Sequence, residues 1–285
     1  MPLTDLELSN LEKKANELRK LCVDTVVWAG SGHIGGALSA MDIFTILYYK
    51  YLNIDPTNPD WEDRDRFILS KGHVGVGFAP VLADKGYIDK DLLKEYNHTG
   101  SILGMHLDGN KVSGVDASTG SLGHGLSIAI GMALAAKINN KNYTTFCLLG
   151  DGECDEGSVW EAAMSVAHFK ITNLITIVDR NRCMIDGPTE DVMSLEPFVQ
   201  KWEAFGFIVK EVNGHSFKEL SEAIDYALSE DKAPVVIVAN TIKGCGVDFM
   251  ENDYKWHYGG LNSEKILQSK ESLEKYYIKR VKGVS

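Results

Sequence analysis

The central part of the chain alternates short apolar segments with amphipathic ones, and this alternation constrains the fold more than any other feature. Residues 144–149 and 174–178 have the continuous apolar character of buried strands, and residues 159–169 between them have the period of a helix. Residues 207–212 and 235–239 repeat the strand pattern. Strands that alternate with helices imply right-handed crossover connections. We therefore predict an α/β fold, a parallel sheet with helices on both faces.

The N-terminal part has local signals of its own. Thr4 and Glu7 have the spacing of a capping box, which predicts a helix that begins there. A second helix is expected from about residue 39 to 51, after a glycine-rich segment that ends at Gly36. Residues 66–70 have the pattern of one more short strand.

Composition sets the broad class of protein. The 285 residues are 44% hydrophobic and 24% charged, as in an ordinary globular protein, and we expect one domain over residues 1–285. The 29 basic and 40 acidic residues give a net charge of −11 without a basic run, which argues against binding to nucleic acid or to a membrane. The five cysteines include no C-x-x-C pair, and no signal-peptide pattern is seen, so a cytoplasmic protein is expected.

Oxygen-bearing side chains follow two neighbouring predicted strands. The strand at residues 144–149 leads into Asp151, which is flanked by two glycines, and the next strand leads to Asn181, 30 residues further on. Ligands bind at the carboxyl ends of parallel strands, and this spacing fits one strand–helix–strand unit. A Gly-Asp-Gly tripeptide alone is more often a plain turn. Together with Asn181, however, Asp151 makes half of an octahedral oxygen site for Mg²⁺ or Ca²⁺ beside a phosphate.

The same segments resemble the transketolase family. The stretch GDGECDEGSVWEAA…LITIVDRNRCMID is similar to the thiamine diphosphate motif of that family, which starts at Gly-Asp-Gly and ends at an asparagine. Four other segments agree with it in order: SGHIGGALSAMDIF, DRFILSKGH, TGSLGHGLSIAIGMALA and KWHYGG. The resemblance covers about residues 10–262 and matches only the N-terminal half of a full-length transketolase. It implies the thiamine-diphosphate-binding fold, as a PP-type domain that binds the diphosphate end of the cofactor.

The resemblance also implies roles for individual residues. The implied ligands of the divalent metal, Mg²⁺ or Ca²⁺, are Asp151, Asn181 and the backbone carbonyl of Cys183. The implied contacts to thiamine diphosphate are made by His73, Gly120, Leu122, Gly152, Ile185 and His257. The implied catalytic residues are His33, His106 and His257, which contact substrate, and Glu156 and Glu161, which act at the interface with a partner subunit.

Other polar residues have simpler interpretations. The histidines expected to be partly exposed loop residues are His98, His168 and His215. His124 lies inside a matched segment and is expected to support the site indirectly. Glu153 and Asp155 are expected at the solvated surface. The small apolar residues at 126–136 fit either a subunit interface or ordinary core packing.

The half of the family that this chain resembles lacks the glutamate that activates the cofactor, the pocket for its pyrimidine ring and the basic residues that bind the sugar phosphate. The resemblance therefore implies the N-terminal subunit of a split transketolase, paired with a C-terminal, pyrimidine-binding subunit in an α2β2 tetramer. Its activity would be the transfer of a two-carbon ketol unit from a ketose phosphate to an aldose. The alternatives are half of another thiamine diphosphate enzyme, such as a deoxyxylulose-phosphate synthase or a 2-oxoacid dehydrogenase, a transketolase for an unusual sugar phosphate or sulfosugar, and a non-catalytic subunit.

Overall fold

A parallel sheet forms the centre of the molecule. The computed structural model describes residues 3–282, so the predicted domain bounds at residues 1 and 285 lie outside the described residues. The strands are β1 (Arg66–Leu69), β2 (Thr145–Gly150), β3 (Leu174–Arg180), β4 (Ile208–Asn213) and β5 (Val235–Asn240). They pair in parallel in the order β1-β2-β3-β5-β4. Each of the five predicted strands is confirmed, with both ends within two residues.

Helices cover both faces of this sheet. They are α1 (Asp5–Ala29), α2 (Ile34–Ser39), α3 (Met41–Ile46), α4 (Gly75–Lys85), α5 (Gly125–Ile138), α6 (Gly157–His168), α7 (Thr189–Val192), α8 (Phe198–Ala204), α9 (Phe217–Ser229) and α10 (Ser263–Lys282). Successive side chains of a strand point to opposite faces. Phe146 and Leu148 of β2 therefore pack with α1, α4 and α9, whereas Cys147 and Leu149 pack with α5, α6 and α8. The predicted fold class is confirmed.

The first helix begins at the predicted capping box. The hydroxyl of Thr4 accepts a hydrogen bond from the backbone N–H of Glu7 at 3.2 Å, and the carboxylate of Glu7 accepts one from the backbone N–H of Thr4 at 2.8 Å. These two bonds satisfy backbone donors that have no partner inside the helix. The helix ends at Gly30, whose φ of 77° lies in the region that glycine tolerates. None of the helices in residues 3–282 combines the length and the hydropathy needed to cross a membrane.

The second predicted helix starts earlier than expected. α2 already begins at Ile34, so Gly35 and Gly36 lie inside a helix, and α3 follows it and continues as a π-helical turn to Tyr51. The predicted start at about residue 39 was therefore wrong by five residues. A Cβ atom on Gly35 would lie 2.6 Å from the carbonyl oxygen of Trp256. The glycine is needed because the C-terminal part of the chain packs directly against the α2 backbone.

A buried ionic network joins α1, α3 and α10. The carboxylate of Asp42 in α3 accepts two hydrogen bonds from Arg19 in α1, at 3.0 and 2.6 Å. It also accepts one from Arg280 in α10 at 2.9 Å and lies 2.8 Å from Nδ1 of His215. Because Asp42 is fully buried, these partners offset the cost of removing its charge from water. Asp42, His215 and Cys245 lie close enough to hold a metal ion, but two guanidinium groups already neutralise the carboxylate and disfavour a cation there.

Candidate functional site

A cavity of about 280 Å³ opens at the carboxyl edge of the sheet. Its lining includes all nine residues predicted to contact the cofactor or the metal: His73, Gly120, Leu122, Asp151, Gly152, Asn181, Cys183, Ile185 and His257. This is the edge at which open parallel sheets bind ligands. The structure thus brings together residues that lie in five separate segments of the sequence.

A larger groove of about 420 Å³ runs along α1 but contains none of the predicted residues. Its lysines are already paired with carboxylates. Lys14 lies 2.8 Å from Asp84, and Lys50 lies 2.9 Å from Glu7. The smaller cavity at the sheet edge is therefore the candidate functional site.

Asp151 and Asn181 lie side by side because β2 and β3 pair with Gly150 opposite Asp179. Asp151 Oδ1 accepts a hydrogen bond from the N–H of Gly152 at 2.9 Å. Its Oδ2 accepts one from the N–H of Arg182 at 2.6 Å and one from the guanidinium of Arg180 at 3.1 Å. Burial raises the pKa of Asp151, and the positive charge of Arg180 opposes this rise. The carboxylate is held in a fixed orientation at the cavity wall.

Three histidine rings cluster at the mouth of the cavity. The ring centroids of His33, His73 and His257 lie 5.0 to 5.3 Å apart. Burial lowers the pKa of His33 to about 4 and that of His257 to about 3, and it holds the pKa of His73 well below its usual value. Nearby positive charge on Lys243 contributes in each case. All three imidazoles are therefore neutral near pH 7, and Nδ1 of His33 is buried without a hydrogen-bond partner among the described residues.

A short backbone bridge holds two of these histidines together. The N–H of Gly32 donates to the carbonyl of Gly259 at 3.0 Å, and the N–H of Gly259 donates to the carbonyl of Gly32 at 3.1 Å. Beside this bridge, the hydroxyl groups of Ser31 and Tyr258 lie 2.7 Å apart, and the Tyr258 ring packs against His33 with a centroid distance of 4.8 Å. The bridge thus holds His33 close to His257, although the two residues are far apart in the sequence.

The remaining predicted catalytic residues lie outside the cavity lining. His106 is exposed, but it lies next to Gly120, where a Cβ atom would come within 2.5 Å of its ring. Gly120 has a φ of 149°, so both its backbone and its surroundings favour glycine. Glu156 is the N-cap of α6, Glu161 follows one turn later, and both are exposed. His124, the N-cap of α5, is exposed as well.

Two buried lysines at the cavity were not predicted. The ammonium group of Lys71 pairs with the fully buried carboxylate of Asp179. Lys243 Nζ donates to the carbonyl oxygens of Cys183 and Met184, at 3.0 and 3.1 Å, and to Nδ1 of His257 at 2.9 Å. Burial lowers the pKa of Lys243 to about 8. Lys71 lies in the segment DRFILSKGH, which resembles the family, whereas no local sequence pattern marks Lys243.

Glu153 was wrongly expected at the surface. Only 2% of it is exposed, and its carboxylate accepts hydrogen bonds from the backbone N–H groups of Gly123 and Gly150, each at 2.9 Å, and from the Ser70 hydroxyl. The turn at Gly152–Asp155 folds this side chain back under the cavity. Its neighbour Asp155 is exposed, as predicted.

The other histidines differ among themselves. His98 is an exposed loop residue, as predicted. His168 is exposed as well, but the prediction of a loop was wrong for it, because it is the last residue of α6. His215 does lie in a turn, but its ring is engaged on both sides, since Nε2 accepts a hydrogen bond from the N–H of Ile242 at 2.9 Å and Nδ1 faces Asp42. It belongs to the buried ionic network and does not line the cavity.

The residues at the cavity fit a divalent cation with a bound phosphate. The Asp151 carboxylate, the Asn181 amide oxygen and the Cys183 carbonyl are the oxygen donors that Mg²⁺ and Ca²⁺ prefer. The Cys183 carbonyl keeps a second lone pair beside its bond from Lys243. The fold and this set of donors therefore suit a phosphorylated cofactor at the edge of a parallel sheet.

Comparison with known protein families identifies the family of this chain. The model of the transketolase thiamine diphosphate-binding domain matches residues 11–277. The chain belongs to the transketolase family, and the prediction of the family is confirmed.

Two relatives have nearly the same length as this chain. The 6-deoxy-6-sulfo-D-fructose transketolase subunit SqwG of Clostridium sp. strain MSTE9 is 41% identical, over 93% of this chain and 97% of its own length. One of the apulose-4-phosphate transketolase subunits of Phocaeicola vulgatus is 40% identical, over 95% of this chain and 97% of its own length. The similarity to N-terminal subunits of split transketolases, expected from the motifs, is confirmed.

Solved structures show the same fold in longer chains. The transketolase of Campylobacter jejuni superposes with a TM-score of 0.87 at 34% identity, over 93% of this chain. This chain spans 42% of the length of that protein. Human transketolase is 37% identical over 88% of this chain, which covers 40% of its length.

Proposed function

We propose that this chain is the N-terminal, cofactor-binding subunit of a two-chain transketolase, which transfers a two-carbon ketol unit from a ketose phosphate to an aldose. The observation that supports this most is the cavity at the sheet edge, where all nine predicted cofactor and metal contacts meet. The chain would act as one thiamine-diphosphate-binding domain, in the cytoplasm, with a second chain that completes the active site.

In this proposal Asp151, Asn181 and the carbonyl of Cys183 hold Mg²⁺ or Ca²⁺. Gly120 and Gly152 let the backbone approach the diphosphate closely. Thiamine diphosphate, when bound, supplies the stabilisation of a carbanion, and the protein supplies anchoring and orientation. The further contacts to the cofactor come from His73, Leu122, Ile185 and His257.

The neutral histidines are proposed to orient the substrate and to move protons. A neutral imidazole offers one donor and one acceptor. With a pKa of about 4 for His33 and about 3 for His257, both rings keep this form near pH 7. Lys243 donates to Nδ1 of His257, which leaves Nε2 of that ring as the donor. His33 and His106 would bind sugar hydroxyl groups at the open side of the cavity.

The partner subunit is proposed to cover the exposed side of α5 and α6. The ends of these helices lie together, because Lys137 donates to the carbonyl of Lys170 at 2.8 Å. Ile138 and Phe169 at these ends are exposed, and exposed apolar patches commonly mark an interaction surface. At the start of α6, Glu156 would form a hydrogen bond with the activating glutamate of the partner. Glu161, also in α6, would join a proton network between active sites of an α2β2 tetramer.

The proposed substrates are anionic sugars. The relatives at 41% and 40% identity are named for 6-deoxy-6-sulfo-D-fructose and apulose-4-phosphate, whereas the human transketolase is 37% identical. A transketolase for an unusual sugar phosphate or sulfosugar is therefore the second candidate, beside one for common pentose and hexose phosphates. We place the residues that bind the anionic end of the sugar on the partner chain.

We expect the purified chain to be inactive without this partner. Loss of the carboxylate that activates the cofactor should cost about 10²–10⁴-fold in rate. The assay measures release of aldose from ketose phosphates and from a sulfosugar, in the presence of thiamine diphosphate and Mg²⁺. It compares the chain alone with the chain mixed with the candidate partner, the protein encoded by the neighbouring gene. Equal activity with and without the second chain would contradict the proposal.

A further inference from the structure

The guanidinium of Arg180, at the end of β3, is fully buried and joins separate segments of the chain. Its Nη1 donates to Asp151 Oδ2 at 3.1 Å and to Thr189 Oγ1 at 3.0 Å. Its Nη2 donates to Glu190 Oε1 at 2.9 Å and to Glu196 Oε1 at 3.0 Å. A single side chain thus contacts the proposed metal ligand and three residues of one loop.

That loop, residues 181–196, is named the cavity loop here because it carries Asn181, Cys183 and Ile185 to the cavity wall. The side chains of Glu190 and Glu196 are 35% and 47% exposed. The loop therefore lies at the surface, and its two carboxylates reach inward to a buried charge. Its conformation depends on this charge, since a buried guanidinium is costly without partners.

We propose that Arg180 is a positioning residue that fixes Asp151 and the cavity loop at the same time, so that metal-dependent diphosphate binding and the order of the loop support each other. This inference rests on the proposed cofactor site. The guanidinium of Arg180 and the backbone N–H of Arg182 both donate hydrogen bonds to Asp151 Oδ2. These two bonds fix the orientation in which the carboxylate faces the cavity. A residue that orients a metal ligand by a hydrogen bond, without contacting the metal itself, typically contributes about 10–100-fold in metal affinity.

The coupling is reciprocal. A ligand that binds between Asp151 and Cys183 bridges the end of β2 and the cavity loop, which Arg180 already joins on the outer side. If loop order favours binding, binding must favour loop order by the same factor. Amide exchange in residues 181–196 therefore reports on Arg180 without any measurement of activity.

The test compares Arg180→Met with Arg182→Met in the full chain assembled with its partner subunit. The Arg182 side chain is 55% exposed, and the contact of this residue with Asp151 uses its backbone N–H, which the substitution keeps. Calorimetry with thiamine diphosphate and Mg²⁺ should show about 10–100-fold weaker binding for Arg180→Met. Arg182→Met should stay within about twofold of the wild type, because it leaves the Asp151 contacts intact.

Hydrogen exchange gives the second readout. Cofactor and Mg²⁺ should slow exchange in residues 181–196 of the wild type and of Arg182→Met, and much less in Arg180→Met. Arg180→Lys should recover part of the affinity. If Arg180→Met does not fold, the double variant Glu190→Gln, Glu196→Gln keeps the buried pair with Asp151 and should still lose the slowing of exchange in the loop.

Unchanged affinity in folded Arg180→Met would overturn the inference, as would weaker binding with normal slowing of exchange in the loop. Normal slowing in the double glutamine variant would overturn it too. If instead the assembled wild type binds no thiamine diphosphate, the proposed function fails, which is a different result from any of these.

Discussion

Replacing Asp151 with alanine should abolish metal-dependent binding of thiamine diphosphate. The carboxylate is the only charged group among the three proposed metal ligands, and its removal leaves an amide oxygen and a carbonyl to hold a divalent cation. The loss should therefore exceed the roughly 10–100-fold effect of disturbing an outer partner. Arg180 would keep Glu190 and Glu196 as partners, so we expect the variant to fold.

Calorimetric titration of the assembled complex with thiamine diphosphate, at saturating Mg²⁺, measures this effect. The matched control is Asp155→Ala, which removes an exposed carboxylate from the same turn and should leave the affinity unchanged. An Asp151→Ala complex that binds the cofactor as tightly as the control would show that the metal site lies elsewhere.

Replacing Asp42 with asparagine should have the largest effect on stability. The substitution keeps the size of the side chain but removes the one buried carboxylate that Arg19, Arg280 and His215 share. Breaking a buried ion pair from one side typically costs about 3–5 kcal/mol. In this variant Arg19 would stay buried without a carboxylate, whereas Arg280 would keep its hydrogen bond to Glu12 at 2.8 Å.

Chemical unfolding at neutral pH gives the free energy, with Asp24→Asn as the control. Asp24 pairs with Lys270 at 3.0 Å on the surface of α1, and a surface pair of this kind contributes about 0–1 kcal/mol. A cost for Asp42→Asn no greater than that of the control would mean that the network does not stabilise the fold.

The sequence predicted the sheet and the cavity well because both depend on local patterns. Continuous apolar runs mark the strands, and the residues directly after β2 and β3 reach the same edge in any parallel sheet. The strand pattern alone was therefore enough to place Asp151 beside Asn181. The roles of the histidines came only from the resemblance to transketolases, since an isolated histidine has no local signature.

The errors share a physical cause, which is contact between residues far apart in sequence. The helix α2 was predicted to start too late, because nothing in the local sequence shows that the carbonyl oxygen of Trp256 lies 2.6 Å from where a Cβ atom of Gly35 would stand. Glu153 stands among acidic neighbours that favour the surface, yet its partners Ser70 and Gly123 come from other parts of the sheet edge. Lys243 donates a hydrogen bond to the carbonyl of Cys183, which lies 60 residues earlier in the sequence. No local pattern carries such information.

The bridge between Gly32 and Gly259 has a consequence for how the protein is made. During synthesis, the segment with His33 leaves the ribosome long before the one with His257, and the two rings can meet only after residue 259 has emerged. The strands of the sheet can pair earlier, because β5 ends at Asn240. We therefore expect a nascent chain whose sheet is formed but whose cofactor site is still open, and which becomes competent to bind only after residue 259 has emerged.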